Sequence, residues 1–260
     1  MRIGGRAVKP SEMSVTDRLL SAALRRDRLV VVVCLGAATA AAWLYLVLAG
    51  STAGAAAAGG WMTDAALILV MWWAMMLAMM LPSAAPMILL FAAVARKKDT
   101  AGRSPGLATA LFVGAYAVVW GAFSVAATAA QLGLDGAATG LRDPRLVGAL
   151  LVMTGLYQLT PWKHACLRRC RSPLDFLLTR WRSGPGGAFA MGAEHGGYCL
   201  GCCWLMMTLL FVAGVMNLVA VAAIASFVLV EKVAPAGHWV GRLAGVGLVG
   251  AGSWLLLGPG

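Results

Sequence analysis

The chain has 260 residues, 61% hydrophobic and 12% charged, with a mean hydropathy of +0.82. A water-soluble globule must cover itself with polar groups, so this composition excludes a soluble domain and points to an all-α, polytopic membrane helix bundle. The formal charge of +11 would suggest nucleic acid in a soluble chain, and six cysteines would suggest a disulfide scaffold in a small secreted one, but neither reading suits so long and apolar a sequence.

Residues 1–28 read as a basic tail carrying Arg2, Arg6, Lys9, Arg18, Arg25, Arg26 and Arg28. Residues 29–49 are an uncharged apolar run, too long for a signal-peptide core, and are expected to be an uncleaved anchor containing Cys34 as a small core residue. The Gly/Ala/Ser-rich stretch 50–60 reads as an external connection. Asp64, expected as a helix cap with a ligand at the outer mouth as the alternative, precedes an apolar run to Ala95. Pro82 and Pro86 in that run are expected to bend or break its helix.

Residues 106–131 and 146–162 give two further spans, the second ending at Pro161. Residues 163–187 read as a basic loop. Residues 188–230 are too long for one span, and Asn217 suits a turn between two helices that Glu231-Lys232 closes off. A glycine-rich span, 239–257, follows; Gly241, Gly245, Gly247 and Gly250 invite close helix contact. The sum is seven spans over 29–260, with six as the alternative because 218–230 is short. Lys and Arg alternate in number from one connection to the next: seven in the tail, none, four, two, six in the 163–187 loop, none at the Asn217 turn, then Lys232 with Arg242 close by before the last span. The positive-inside rule then puts the N-terminus and that loop in the cytoplasm. All 21 basic residues are used by this account, which leaves no call for nucleic acid.

The densest chemistry lies at 194–207, EHGGYCLGCCWLMM. At about 100° per residue, Cys199, Cys202, Cys203, Met206 and Met207 share one helix face about 140° wide. Thiols grading into thioethers suit Cu(I), with zinc as the alternative at the thiol end. His195 lies four residues before Cys199. A second group, His164, Cys166 and Cys170, sits in PWKHACLRRC, its cysteines on one helical face with arginines that would favour thiolate. Both groups fall at the cytoplasmic boundary on a returning loop, where cysteines are reduced and ligation is favoured over disulfides. His164 as a surface histidine, and the methionines as plain packing, are the competing readings; His238 reads as a lone interfacial histidine. In MWWAMMLAMMLPSAAPM, Met71, Met75, Met76, Met79 and Met80 form two adjoining thioether stripes along a span, a path that could pass Cu(I) or simply pack.

These motifs, with YQLTPWKHACLRRCRSPLDF, HGGYCLGCCWLMM, VMN and the Glu231-Lys232 pair, resemble in order the bacterial family called predicted metal-binding integral membrane proteins, some members of which are labelled copper chaperone. The resemblance covers roughly 61–232 and leaves out the tail. It implies a multi-span inner-membrane protein that handles a metal through Cys166, Cys170, Cys199, Cys202, Cys203, Met206, Met207 and the 71–80 run. Three functions compete. One is a Cu(I) carrier or chaperone that hands metal to a membrane or soluble protein partner. A second is a membrane thiol–disulfide oxidoreductase, and a third a non-catalytic subunit of a larger complex. There is no GxxxxGK[ST] motif, and no Ser/His/Asp set or carboxylate pair for hydrolysis, so an enzyme is the less favoured class.

Overall fold

The computed structural model describes residues 15–52, 61–98, 105–135, 143–215 and 217–257, and side chains within these except at 15–27, 49–52, 61–64 and 134–135. The tail before Val15, the side chain of Asp64, most of the 50–60 connection and Met216 of VMN lie outside the described residues. Among the described residues the chain is helical, without strands: α1 (Val15–Thr52), α2 (Trp61–Lys98), α3 (Pro105–Asp135), α4 (Pro144–Leu159), α5 (Pro161–Arg171), α6 (Pro173–Arg180), α7 (Gly184–Thr208), α8 (Leu210–Ala213), α9 (Leu218–Val233) and α10 (Gly237–Leu257). Five of them contain stretches long and apolar enough to cross a membrane: Arg28–Leu48, Ala65–Lys98, Pro105–Gly133, Gly184–Ala213 and Gly237–Leu257. This is a membrane protein by composition and helix length. Helices α4 and α9 have 16 residues each. At 1.5 Å per residue they reach roughly 24 Å, a little short of a bilayer core of about 30 Å.

The helix starts follow local chemistry. Asp143 accepts from the Arg145 amide ahead of α4, and Asn217 accepts from the Val219 and Ala220 amides ahead of α9. Asn217 thus makes the expected turn, aided by Gly214 at φ 91°. The expected loop at 163–187 is mostly helix instead. Pro161 and Pro173 each occupy a first helical turn, and Thr160 caps α5 by accepting from the Lys163 amide. These two short helices are amphipathic rather than apolar, burying Leu167, Phe176 and Leu177, so hydropathy alone misses them. Nor do the prolines break α2, which runs unbroken past Pro82 and Pro86 to Lys98. A proline costs its own hydrogen bond, a loss that helices packed inside a membrane bundle tolerate.

Close approaches fix the relative directions of the helices. A Cβ at Gly155 would stand 2.6 Å from the Gly245 carbonyl oxygen, and one at Gly252 would stand 2.6 Å from that of Gly148. Numbers rise on α4 as they fall on α10, so these helices are antiparallel and touch backbone to backbone, as the glycines of the last span suggested. Gly192 lies against the Phe112 backbone and Gly196 against Val119, so α3 and α7 run parallel. Phe91 stacks on Phe112 at 4.5 Å, and the Tyr116 hydroxyl donates to the Met80 carbonyl at 3.3 Å, so α2 is antiparallel to α3. Helix α1 packs along α2 and leaves Cys34 exposed. That corrects the expectation of a core cysteine: Cys34 is exposed, at a groove that α1 forms with α2 and α3.

Candidate metal centre

The core gathers the sulfur residues of α2 and α7. Met75, Met76, Met79, Met80, Met207, Cys199, Cys202 and Cys203 are all 1% exposed or less, and Met206 is buried as well. Met71, one turn nearer the start of α2, is half-buried. The helical phase therefore put the three cysteines and two methionines of α7 on one inward face, as expected.

Within that core the contacts converge on one point. The Cys203 thiol is 3.8 Å from the Met80 sulfur, which joins the α2 stripe to the α7 cluster. The Tyr116 hydroxyl of α3 is 3.0 Å from the Cys199 sulfur. Cys202 and Cys203 turn back on their own helix and donate to the Cys199 carbonyl at 3.1 and 2.9 Å. Serine and threonine use the same back-bonding in helices. Among the described residues, no three His, Cys, Asp or Glu side chains surround a common point suited to a metal ion. The cluster is thus a set of adjacent soft donors, not a closed tetrahedral cage of the zinc type.

A cation already sits in this cluster. Lys232 of α9 donates to the Cys199 sulfur at 2.9 Å, to the Ser83 hydroxyl at 3.2 Å and to the Met80 sulfur at 3.9 Å. An ammonium has three protons, and here each has an acceptor. Lys232 was expected at the membrane surface, closing off a helix pair, and the charge count treated it so. It is buried instead. Lys163, counted with the basic loop, is likewise buried, paired with Glu231 and hydrogen-bonded to Gln158. The pair fits against Gly241 of α10, where a Cβ would stand 3.7 Å from the Lys163 nitrogen. Arg171 closes the end of α9, donating to the carbonyls of Glu231 at 2.8 Å, Ala234 at 2.6 Å and Pro235 at 3.0 Å. The Glu231 carbonyl lies in the last turn of α9, where carbonyls lack helical partners and a guanidinium is favoured. The sequence signal for these missed residues was adjacent opposite charges, Glu231-Lys232, beside an apolar run; ionisable groups there mark functional interiors.

The second cysteine group does come to the first. The Cys166 sulfur lies 2.9 Å from where a Cβ on Gly201 of α7 would be, and the Cys170 thiol interacts with that of Cys202. The adjacent arginines do not favour thiolate in either. Arg171 is occupied at α9, and Arg169 reaches toward Asp175 at 3.8 Å. Burial, followed by the charge of Cys202, pushes the Cys166 thiol up. Hydrogen bonding to Cys202, then burial, pushes Cys170 well up. The two histidines of these groups have different surroundings. His195 is buried among the rings of Phe112, Tyr116 and Phe176 at 5.9–6.0 Å, and its Nδ1 has no hydrogen-bond partner. His164 is half-buried near Arg242 and His238; burial first, then the Arg242 charge, lowers its pKa. His238 is exposed against Trp239, as a lone interfacial histidine should be. All six cysteines are free.

Residues 69–255 match the family PpoB2, described as a copper chaperone. No curated protein and no solved structure matches the chain.

Proposed function

The chain belongs to the PpoB2 copper chaperone family, and from that premise we propose that it is a membrane carrier for Cu(I). Its cargo passes between the methionines of α2 and the cysteines of α7, with Cys166 and Cys170 next along the line. The observation that supports this most is the meeting of Met80 and Cys199 at the Lys232 ammonium, with Cys203 against the Met80 sulfur. A thioether, thiols and a monovalent cation share one buried point. Cu(I) entering there would be bound by sulfur in exchange for another single positive charge, so the buried charge of the cluster would not grow. Ser83 and Tyr116 would hold the vacated polar positions. His195, with an unpartnered nitrogen one turn before Cys199, is a further donor on the same face.

In this reading the protein lies in the bacterial inner membrane with its N-terminus in the cytoplasm and α5–α6 on that side. The membrane is crossed seven times, a count supported by helix directions. Parallel α3 and α7 require a return between them, and α4 is the longest helix there. Antiparallel α4 and α10 likewise require α9 as a return after α7. Metal arriving at the α5–α6 side would pass to a protein partner, since no nucleotide-binding motif supplies a drive.

The test is anaerobic titration of the purified full chain with Cu(I) against a chromogenic chelator. The expected result is stoichiometric binding that Cys199→Ser and Cys203→Ser weaken by roughly 10-fold or more, the scale seen even for outer-shell changes. Cys34→Ser, exposed on α1, should leave it unchanged. Wild-type affinity in the Cys199→Ser, Cys203→Ser double variant would overturn the carrier reading. Thiols that instead oxidise reversibly to a Cys170–Cys202 disulfide, without binding copper, would favour the oxidoreductase.

A further inference from the structure

The sulfur cluster is built against a positive charge, and no carboxylate answers that charge. The three acceptors of Lys232 are the Cys199 and Met80 sulfurs and the Ser83 hydroxyl. The carboxylate of Glu231, its neighbour in the chain, is held by Lys163 instead. The Met80 and Cys203 sulfurs are 3.8 Å apart. Two sulfurs that share one ion at about 2.3 Å each have that spacing. The Lys232 nitrogen is 3.9 Å from the first of them. An ion held between Met80 and Cys203 therefore lies within about 6 Å of the ammonium. Of the three acceptors, the Ser83 hydroxyl is the one that a metal on the sulfurs does not take, so it keeps the displaced ammonium beside them.

We propose that Lys232 is a charge filter: it makes this site accept soft monovalent cations, Cu(I) and Ag(I) alike, and reject divalent ones. The inference rests on the carrier reading and adds what sets its cargo. Softness alone does not decide, since thiolates hold Zn(II) as well as Cu(I). Charge does. Cysteines bind as thiolates, each giving up its proton to solvent. Cys199 and Cys203 as thiolates around a monovalent ion leave one net negative charge, and the ammonium cancels it; the Met80 thioether adds none. The same two thiolates around a divalent ion are already neutral. Lys232 is then a buried charge without a partner, which is costly. Across about 6 Å, at an effective dielectric of about 20, each further unit of positive charge weakens binding by roughly 100-fold.

The test is anaerobic equilibrium dialysis of the full chain in detergent against Ag(I) or Cd(II), in chloride-free buffer. Both ions are soft and neither changes oxidation state, so charge is what chiefly separates them. Only ions that the Cys199→Ser, Cys203→Ser double variant loses are counted. The wild type should prefer Ag(I). In Lys232→Met, which keeps the size, and Lys232→Gln, which keeps a donor, the ratio of Cd(II) to Ag(I) affinity should rise about 100-fold over wild type. Lys232→Arg should keep the wild-type ratio. A lysine that only packs α9 against the cluster would weaken both ions together. An unchanged ratio in the neutral variants therefore overturns the charge filter and leaves the carrier reading standing. No Ag(I) lost in the double variant overturns both. Should the neutral variants fail to fold, the wild type decides: Cd(II) held there as tightly as Ag(I) overturns the filter.

Discussion

Buried charge decides most at the level of single residues. Lys163 and Glu231 are both out of water, and each is tolerated because of the other. Removing one partner of such a pair leaves an uncompensated charge, at a cost of about 3–5 kcal/mol. Lys163→Met should therefore lower the thermal unfolding midpoint markedly, and a second change, Glu231→Gln, should restore most of the loss. An equal midpoint for wild type and Lys163→Met would mean that the pair is not desolvated. Met80 gives the opposite pattern. Its sulfur touches Cys203 and Lys232, but leucine nearly matches its volume. Met80→Leu should cost less than about 1.5 kcal/mol in stability yet weaken Cu(I) binding by about 10-fold or more, as losing a metal contact does. Met71→Leu, half-buried and away from the cluster, should change neither. If unfolding and titration show Met80 behaving like Met71, the thioethers are packing. The inward face of Cys199–Met207 was legible from spacing, because helical phase needs only residue numbers. The company kept by Cys199 was not. Lys232, Tyr116 and Ser83 come from three other helices, and no local pattern says which side chains of distant helices will meet.

Among the helices, glycine fixes the tightest interface. Between α4 and α10 the backbones are so close that a methyl on Gly155 would fall 2.6 Å from one carbonyl oxygen and 2.8 Å from the Val249 amide nitrogen. Backbone cannot give way as a flexible side chain can, so Gly155→Ala should destabilise by roughly 1–3 kcal/mol. Gly247→Ala, on the partner helix α10 but with open space around it, should be neutral or slightly stabilising through better helix propensity. Paired thermal melts of the two variants would separate interface from propensity. Glycine content announced that α10 makes a close contact, but not that α4 would be the partner, because the small-residue signal carries no address. The α5–α6 hairpin was less legible still. Its helices are short and lie in a basic stretch, so they read as loop by hydropathy, although Pro161 and Pro173 are helix-start signals. Lys163 shows the same failure. Within a basic stretch it looks like a surface charge, and only the fold reveals that its long side chain turns inward to Glu231.

For the whole molecule the open quantity is the number of crossings, and the helix directions make it testable. Sequence alone leaves six or seven, because α9 is short; α4, which also has only 16 residues, was read as a clear span. Both lie alongside longer helices: α4 is antiparallel to α10 with contacts from Gly148 to Gly155, and α9 packs on α2. A helix shorter than the bilayer core can still cross where longer neighbours surround it and the bilayer thins to match. The two ends of α4 should then face opposite sides. Arg145 at its start is exposed, and so is Thr179 on α6 just beyond its end. The native Cys166 and Cys170 are poor reporters, because they pack against α7 and their thiols are held protonated by burial and by Cys202. Single cysteines at Arg145→Cys and Thr179→Cys, in a Cys34→Ser background, are better placed. An impermeant maleimide should label Arg145→Cys in intact cells and Thr179→Cys only after permeabilisation. If both are labelled from outside, the α5–α6 side is not cytoplasmic and α4 does not cross. If both need permeabilisation, α4 is a half-inserted helix and the count falls. The reversed pattern, Thr179→Cys outside and Arg145→Cys inside, would preserve seven crossings but invert the molecule. Copper would then reach the cysteines from the periplasm, and the partner receiving it would have to be sought on the other face of the membrane.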